Sequence, residues 1–316
     1  MGEFSLVMQS LLVIGECMME LSSAENGDLQ RSFAGDTYNS AIYAKRCLTN
    51  SKVSFLSAIG VDAYSQKMKA TWQAEGIDTS LLVETDQAEI GIYAIHTDDS
   101  GERSFSYWRK GSAASKMMQY LDVDKLLAAA KEYQMVYFSG ISLAILSDED
   151  KGKFIDCIEA MSKQGCKIAF DPNYRPRLWD SLDHALLWLE KAYSLSDLIL
   201  PGLEDHEVMF GHEDHQQMAK YFEQYATNEL VIKCGSQGTF VYVENELVVH
   251  QPFKPAPIQV DSTAAGDSFA GTYIGKRIEG STPEQALTLA AHVAGQVVQH
   301  KGAILDAELY KKLCLL

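Results

Sequence analysis

The run Asp261-Ser262-Thr263-Ala264-Ala265-Gly266-Asp267-Ser268-Phe269-Ala270-Gly271 holds the residue types best suited to chemistry. It follows an extended stretch, Pro257 to Val260, and opens a helix. Small residues at 264–266 leave backbone amides uncovered at a helix start, where orphan N–H donors and the dipole favour an anion. Ala264, Ala265 and Gly266 would thus hold a phosphoryl group in transfer. Asp267, just inside, is placed to take the proton of a hydroxyl nucleophile. The same residues also suit a plain helix start whose acid complements the dipole, and Gly-rich motifs this short recur by chance.

The surrounding pattern says what positions them. Short apolar runs at Leu11–Gly15, Val53–Ile59, Met135–Ser139, Lys167–Asp171, Leu198–Pro201 and Leu230–Lys233 read as buried strands, and Glu16–Leu21 reads as a continuation of the first. Helical stretches lie between them: one from Gly35-Asp36-Thr37 to about Leu48, one from Asp62 to Glu75, and one capped at Ser147. Another runs from Thr282 to His300, with Pro283 in its first turn. Strand–helix alternation implies a mainly parallel sheet covered by helices on both faces. Glu89–Thr97 and Arg103–Arg109, joined by Asp98-Asp99-Ser100-Gly101, read as a hairpin out of step with that rhythm, an added flap; Thr239–Val243 and Glu246–His250 read as another hairpin. The expected organisation is one α/β domain over 11–316, with lid strands from about 16–35 and 89–110. Residues 1–10 are expected to be an N-terminal extension or an expression remnant, with Met8 a candidate for the natural start.

Composition narrows the partners. The 316 residues are 47% hydrophobic, enough for a sizeable core. Forty-three acidic against 27 basic side chains give a formal charge of −16, which disfavours nucleic acid and anionic membrane surfaces. An anion site must then be local, built from helix starts and a few cations. Six scattered cysteines, with no CxxC pair, read as reduced thiols of a cytoplasmic protein rather than zinc ligands. No apolar run approaches a membrane span.

Asp261 to Asp267 resembles the C-terminal signature of the ribokinase-like (PfkB) sugar kinases, and Gly35-Asp36-Thr37-Tyr38-Asn39 resembles their N-terminal signature. The resemblance runs from about Leu12 to Leu305. Within the family, Gly15 to Leu21, Ser100 to Arg103, Ser139 to Leu146 and Asp171 to Trp179 are most similar to the branch that phosphorylates 2-keto-3-deoxygluconate. The resemblance implies a ribokinase-like fold with a small β-sheet lid, ATP and Mg²⁺ as phosphoryl donor and metal, and a small sugar acid as acceptor. It implies Asp267 as base, with Ala264, Ala265 and Gly266 as the anion hole. Gly35, Asp36, Asn39, Tyr93 and Tyr107 would contact the sugar, and Arg109 and Arg175 would grip its carboxylate. Asn173, Lys233, Gly235, Ser236, Gly238, Gly266 and His292 would serve the nucleotide. Asp261 and Thr263, with the Gly302-Ala303 turn, resemble parts of a monovalent-cation site. A homo-oligomer is expected, a dimer through the lid or larger.

One departure concerns the metal. The family often carries Asn-x-x-Glu here, whereas this chain reads Pro201-Gly202-Leu203-Glu204-Asp205. Gly202 replaces the Asn, Asp205 stands in the Glu position, and Glu204 is an alternative acid. His206, His212 and His215 do not have zinc spacing and read as part of a solvated acidic helix. Rival readings are a neutral-sugar kinase acting on fructose or ribose, a non-catalytic sugar-acid sensor, and a dinucleotide oxidoreductase. The last lacks a GxGxxG after the first strand, where Gly15-Glu16-Cys17 stands.

Overall fold

The computed structural model describes residues 9–23, 27–48, 50–97 and 103–314. Most of the 1–10 extension and the Asp98–Gly101 turn lie outside the described residues. The strands run β1 (Ser10–Ile14), β2 (Met18–Ser23), β3 (Leu29–Ala34), β4 (Lys52–Leu56), β5 (Ala58–Gly60), β6 (Val83–Thr85) and β7 (Ile92–Thr97). They continue as β8 (Arg103–Trp108), β9 (Met135–Ser139), β10 (Lys167–Asp171), β11 (Leu198–Ile199), β12 (Glu229–Lys233), β13 (Thr239–Val243) and β14 (Glu246–Gln251).

Eight of the described strands form one sheet in the order β14-β13-β12-β11-β10-β9-β1-β4. It is parallel from β4 to β12, and the β13–β14 hairpin closes the edge antiparallel. That hairpin turns at Glu244 and Asn245, both at positive φ (50° and 67°), the backbone a two-residue hairpin turn requires. Because side chains alternate along a strand, each central strand feeds two cores. Leu12 and Ile14 of β1 join Val136 and Phe138 of β9 on one face, while Leu11 and Val13 join Met135 and Tyr137 on the other. Both faces are therefore dry, which is why these strands read as unbroken apolar runs.

The other sheets correct the sequence reading in two places. The chain leaves the main sheet at Gly15, so Glu16–Leu21 does not prolong β1; β2 instead joins a separate four-stranded sheet, β3-β2-β7-β8. Val53–Ile59 is likewise divided at Ser57, and β5 pairs with the short β6 as a two-stranded sheet. The four-stranded sheet, termed the lid, packs against the main body. Met18, Ala34 and Tyr93 share an apolar cluster with Ala264, Ala303 and Leu305, while Leu29, Tyr107 and Trp108 stay exposed. Pro257–Val260 forms no strand, and the helix after it begins only at Ala265. Ser10 already belongs to β1, so the folded domain begins before residue 11. Among the described residues, no helix is long and apolar enough to cross a membrane.

Two helices bind the lid-side and tail-side halves together: Asp36–Cys47 and Ala265–Glu279. Their contact depends on glycine. A Cβ at Gly271 would stand 2.1 Å from the Ser40 carbonyl oxygen, and one at Gly275 would stand 3.0 Å from the Cys47 Cβ. The Ser40 hydroxyl also donates to the Asp267 carbonyl oxygen at 3.0 Å. Gly271→Ala should therefore force the helices apart and lower stability by about 1–3 kcal/mol in chemical denaturation. Gly152→Ala is the control, because its Cβ meets nothing within 4 Å; it should stabilise its helix by up to about 1 kcal/mol.

Candidate active site

The parallel strands end toward one crevice, where open α/β sheets place their ligands. Ser139 ends β9, Asp171 ends β10 and Lys233 ends β12. Above them begin the two paired helices, carrying Asp36 and Asp267 in their first turns. Gly35 precedes Asp36, and a Cβ there would lie 2.1 Å from the Glu16 carbonyl oxygen, so only glycine lets this helix start so close to the lid. Asp36 Oδ2 accepts from the Ser139 hydroxyl at 2.6 Å and from Asn173 Nδ2 at 2.9 Å. Asn39 Nδ2 donates to Asp267 Oδ2 at 2.8 Å. Lys233 Nζ bonds Asp171 Oδ2 at 2.6 Å. Asn173 is thus placed beside Asp36, and Lys233 is held by Asp171.

The head of the second helix is narrower as an anion site than its sequence implies. The Ala265 amide turns back to the Ser262 carbonyl at 3.2 Å, and Ser268 bonds Ala264 at 2.9 Å. Among the described residues, the Gly266 and Asp267 amides are left as the orphan donors of the first turn. Gly266 is exposed, and a Cβ there would meet nothing within 4 Å, so ligand atoms have room over these amides. Ala264 is buried in the apolar cluster under the lid.

Asp267 is the most perturbed acid of the crevice. Burial of its carboxyl, then the nearby charges of Asp36 and Asp171, push it up to about 8, against the Asn39 hydrogen bond and Lys233. Such a value is what a proton acceptor working near neutral pH requires. Asp205 is also raised, by burial first, with Arg175 opposing and Asp171 reinforcing.

The expected substrate arms are engaged in specific ways. Tyr93 is buried and its hydroxyl donates to Glu20, while Tyr107 stacks on it at 5.8 Å and is half exposed. Arg109 pairs with the buried Glu16. Arg175 is largely exposed, donates to the Tyr174 carbonyl at 2.9 Å and stands 3.8 Å from Asp205.

On the expected nucleotide side, Gly235 and Gly238 both take positive φ (50° and 92°). A Cβ at Gly238 would stand 2.2 Å from the Gln251 carbonyl oxygen, so the loop closes tightly on β14. Ser236 is exposed on this loop, and His250 Nε2 lies 3.1 Å from the Gln237 carbonyl oxygen. His292 Nε2 lies 2.8 Å from the Leu313 carbonyl oxygen, a contact with the C-terminal helix. His206 departs from expectation. It is fully buried among Tyr193, Phe222 and His212, and burial with the His212 charge pushes it down to about 3.

Among the described residues, no group of three or more His, Cys, Asp or Glu is arranged to hold a metal ion. Glu204 is exposed, and Asp205 Oδ2 accepts from the Tyr174 amide at 3.0 Å. Asp205 and Asp171 remain a crowded acidic pair, which suits a Mg²⁺ ion carried mainly by phosphate oxygens and water. Asp261 holds the last loop: Oδ1 accepts from the Thr263 hydroxyl at 2.7 Å and Oδ2 from the Gly302 amide at 2.9 Å. Glu16, Glu20 and Asp171 were absent from the residues singled out in the sequence. Two acids four residues apart in an apolar run, Gly15 to Leu21, were the available signal, because a buried charge demands a partner.

The model of the pfkB family of carbohydrate kinases matches residues 8–309. A 2-dehydro-3-deoxygluconokinase of Dickeya dadantii is 34% identical over 304 residues, 95% of this chain and 98% of that protein. Its counterpart from Haemophilus influenzae is 34% identical over 303 residues, 95% and 96% of the two chains. The crystal structure of a PfkB protein from Polaromonas sp. JS666 superposes with a TM-score of 0.81 at 26% identity, covering 96% of this chain and 99% of that one.

Asp267 has a folded-state value above that of an unfolded aspartate, so the native state binds the extra proton and stability falls as pH rises toward about 8. Asp267→Asn removes this cost. The variant should match the parent near pH 4 and gain on it up to about 1 kcal/mol per pH unit between roughly pH 5 and 8. Urea denaturation across that range checks it, and a gap independent of pH would contradict the assignment.

Proposed function

The chain belongs to the pfkB family of carbohydrate kinases, and we propose that it transfers the γ-phosphoryl group of ATP to the terminal hydroxyl of 2-keto-3-deoxygluconate, which is also called 2-dehydro-3-deoxygluconate. The product is 2-keto-3-deoxy-6-phosphogluconate. The observation that carries this reading is Asp267, raised to about 8 and held by Asn39 beside the open amides of a helix start. Two relatives of that printed activity, each 34% identical over 95% of this chain, support the choice of acceptor.

The sugar acid lies between the Gly35–Asn39 segment and the lid. Asp36 and Asn39 orient its hydroxyls, Tyr93 and Tyr107 pack against its carbon chain, and Arg109 and Arg175 meet its carboxylate. The triphosphate lies along the Gly235–Gly238 loop toward Lys233. Asp205 and Asp171 are the residues that would hold a Mg²⁺ ion, which would neutralise charge at the phosphate oxygens. Asp267 takes the proton of the terminal hydroxyl as its oxygen forms the bond to γ-phosphorus and the bond to the ADP oxygen breaks. The amides of Gly266 and Asp267 hold the charge that develops. Positioning and electrostatics do most of the work in such a transfer. The lid keeps water from the phosphoryl group.

The exposed Trp108, Tyr107 and Leu29 on the lid support a dimer through that sheet. The Asp261–Thr263 turn against Gly302 supports a monovalent cation near the anion site. Six unpaired cysteines support a cytoplasmic setting.

Phosphoryl transfer should be measured with 2-keto-3-deoxygluconate, fructose and ribose side by side. A preference for the sugar acid supports the two-arginine reading; a preference for fructose or ribose keeps Asp267 and removes the carboxylate roles of Arg109 and Arg175. Asp267→Asn should retain sugar binding by calorimetry and lose about 10²–10⁴-fold in kcat. Unchanged turnover would remove Asp267 as the base, and turnover absent in the parent would favour a sensor. Because the base must be ionised, kcat/KM should climb with pH and level off above about 8.

A further inference from the structure

The chain passes between body and lid four times, and the first and last of these passages meet at one point. It enters the lid through Gly15-Glu16-Cys17, between β1 and β2, and leaves it after β8 through Arg109. Glu16 and Arg109 meet there. Glu16 is 2% exposed, and its Oε1 accepts from the Ser112 hydroxyl at 2.6 Å while Oε2 accepts from Arg109 Nη2. Both oxygens are thus fixed before any ligand arrives. Gly91 closes the third side: a Cβ there would stand 2.9 Å from Glu16 Oε1 and 3.1 Å from Arg109 Cβ.

Arg109 is not saturated by this contact. Its side chain is 13% exposed, and its Nε is buried without an acceptor among the described residues. An arginine free to turn would sample many rotamers, whereas a planar fork held at one end presents its remaining donors in one direction.

We propose that Glu16 is the positioning residue for Arg109, fixing the guanidinium at the base of the lid so that it selects a sugar bearing a carboxylate. The inference rests on the reading that Arg109 meets the sugar acid. Glu16 itself touches no substrate; it acts through Arg109. A mere clamp on the lid would affect every substrate, including ATP, whereas a positioning residue affects the sugar acid and depends on Arg109 being present.

The test is a double-mutant cycle on steady-state kinetics with Glu16→Gln, Arg109→Met and the pair. Glu16→Gln should raise KM for 2-keto-3-deoxygluconate about tenfold or more, with kcat and KM for ATP moving less than about threefold. In the Arg109→Met background, adding Glu16→Gln should change KM by less than about twofold. Equal effects in both backgrounds, or a matching rise in KM for ATP, would overturn the proposal. Glu16→Asp keeps the charge and should recover part of the loss. If Glu16→Gln does not fold, Glu16→Asp takes its place in the cycle: its rise in KM for the sugar acid should vanish in the Arg109→Met background, and an equal rise in both backgrounds overturns the proposal. A parent with no preference for the sugar acid over fructose sinks the reading of Arg109 itself. A parent with that preference but no coupling sinks only the role of Glu16.

Discussion

Everything chemical in this molecule depends on how closely two helices approach. The Asp36–Cys47 and Ala265–Glu279 helices meet where Gly271 leaves room for the Ser40 carbonyl, with a would-be Cβ only 2.1 Å away. That approach sets Asn39 within 2.8 Å of Asp267, although 228 positions of sequence separate them. It also aligns two helix starts over the ends of the same parallel strands. The rest follows from that alignment: an open amide pair at Gly266 and Asp267, a floor of Asp171 and Lys233, and a roof formed by the lid.

Such crowding resolves an apparent conflict in the charges. A chain of formal charge −16 repels both ATP and a sugar acid at long range. Close to the site, however, the acids act on one another as well as on ligands. Asp36 and Asp171, together with burial, keep a proton on Asp267 near neutral pH. On the proposed function, incoming phosphates meet helix amides and Lys233 rather than a fully ionised cluster. The cost is a native state strained by its own carboxylates, an arrangement common where activity requires a group out of its preferred protonation state.

The sequence was most legible where local rules and tertiary structure agree. Buried parallel strands appear as apolar runs, so β9 and β10 are found at Met135–Ser139 and Lys167–Asp171, as their residues imply. Caps at Asp62, Ser147 and Thr282 mark their helices because their side chains accept from the first-turn amides. The departure at Gly15 was not legible, since Met18, Met19 and Leu21 carry on the apolar character of β1 and the change of partner strand leaves no local mark. The division at Ser57 escaped for the same reason. His206 misled because a helical histidine shows its face only once its neighbours are known. Glu16 and Glu20 were hidden inside a strand-like run, and their partners Arg109 and Tyr93 lie more than 70 residues away.

The central claim is that Asp267 carries its proton near neutral pH because the fold buries it among other acids. Carboxyl ¹³C NMR of the ligand-free protein, with Asp267→Asn to assign the resonance, measures this directly. A midpoint near 8 is the result the structure predicts. A midpoint near 4, the value of an ordinary aspartate, would mean that the helix pairing does not create the proton acceptor described.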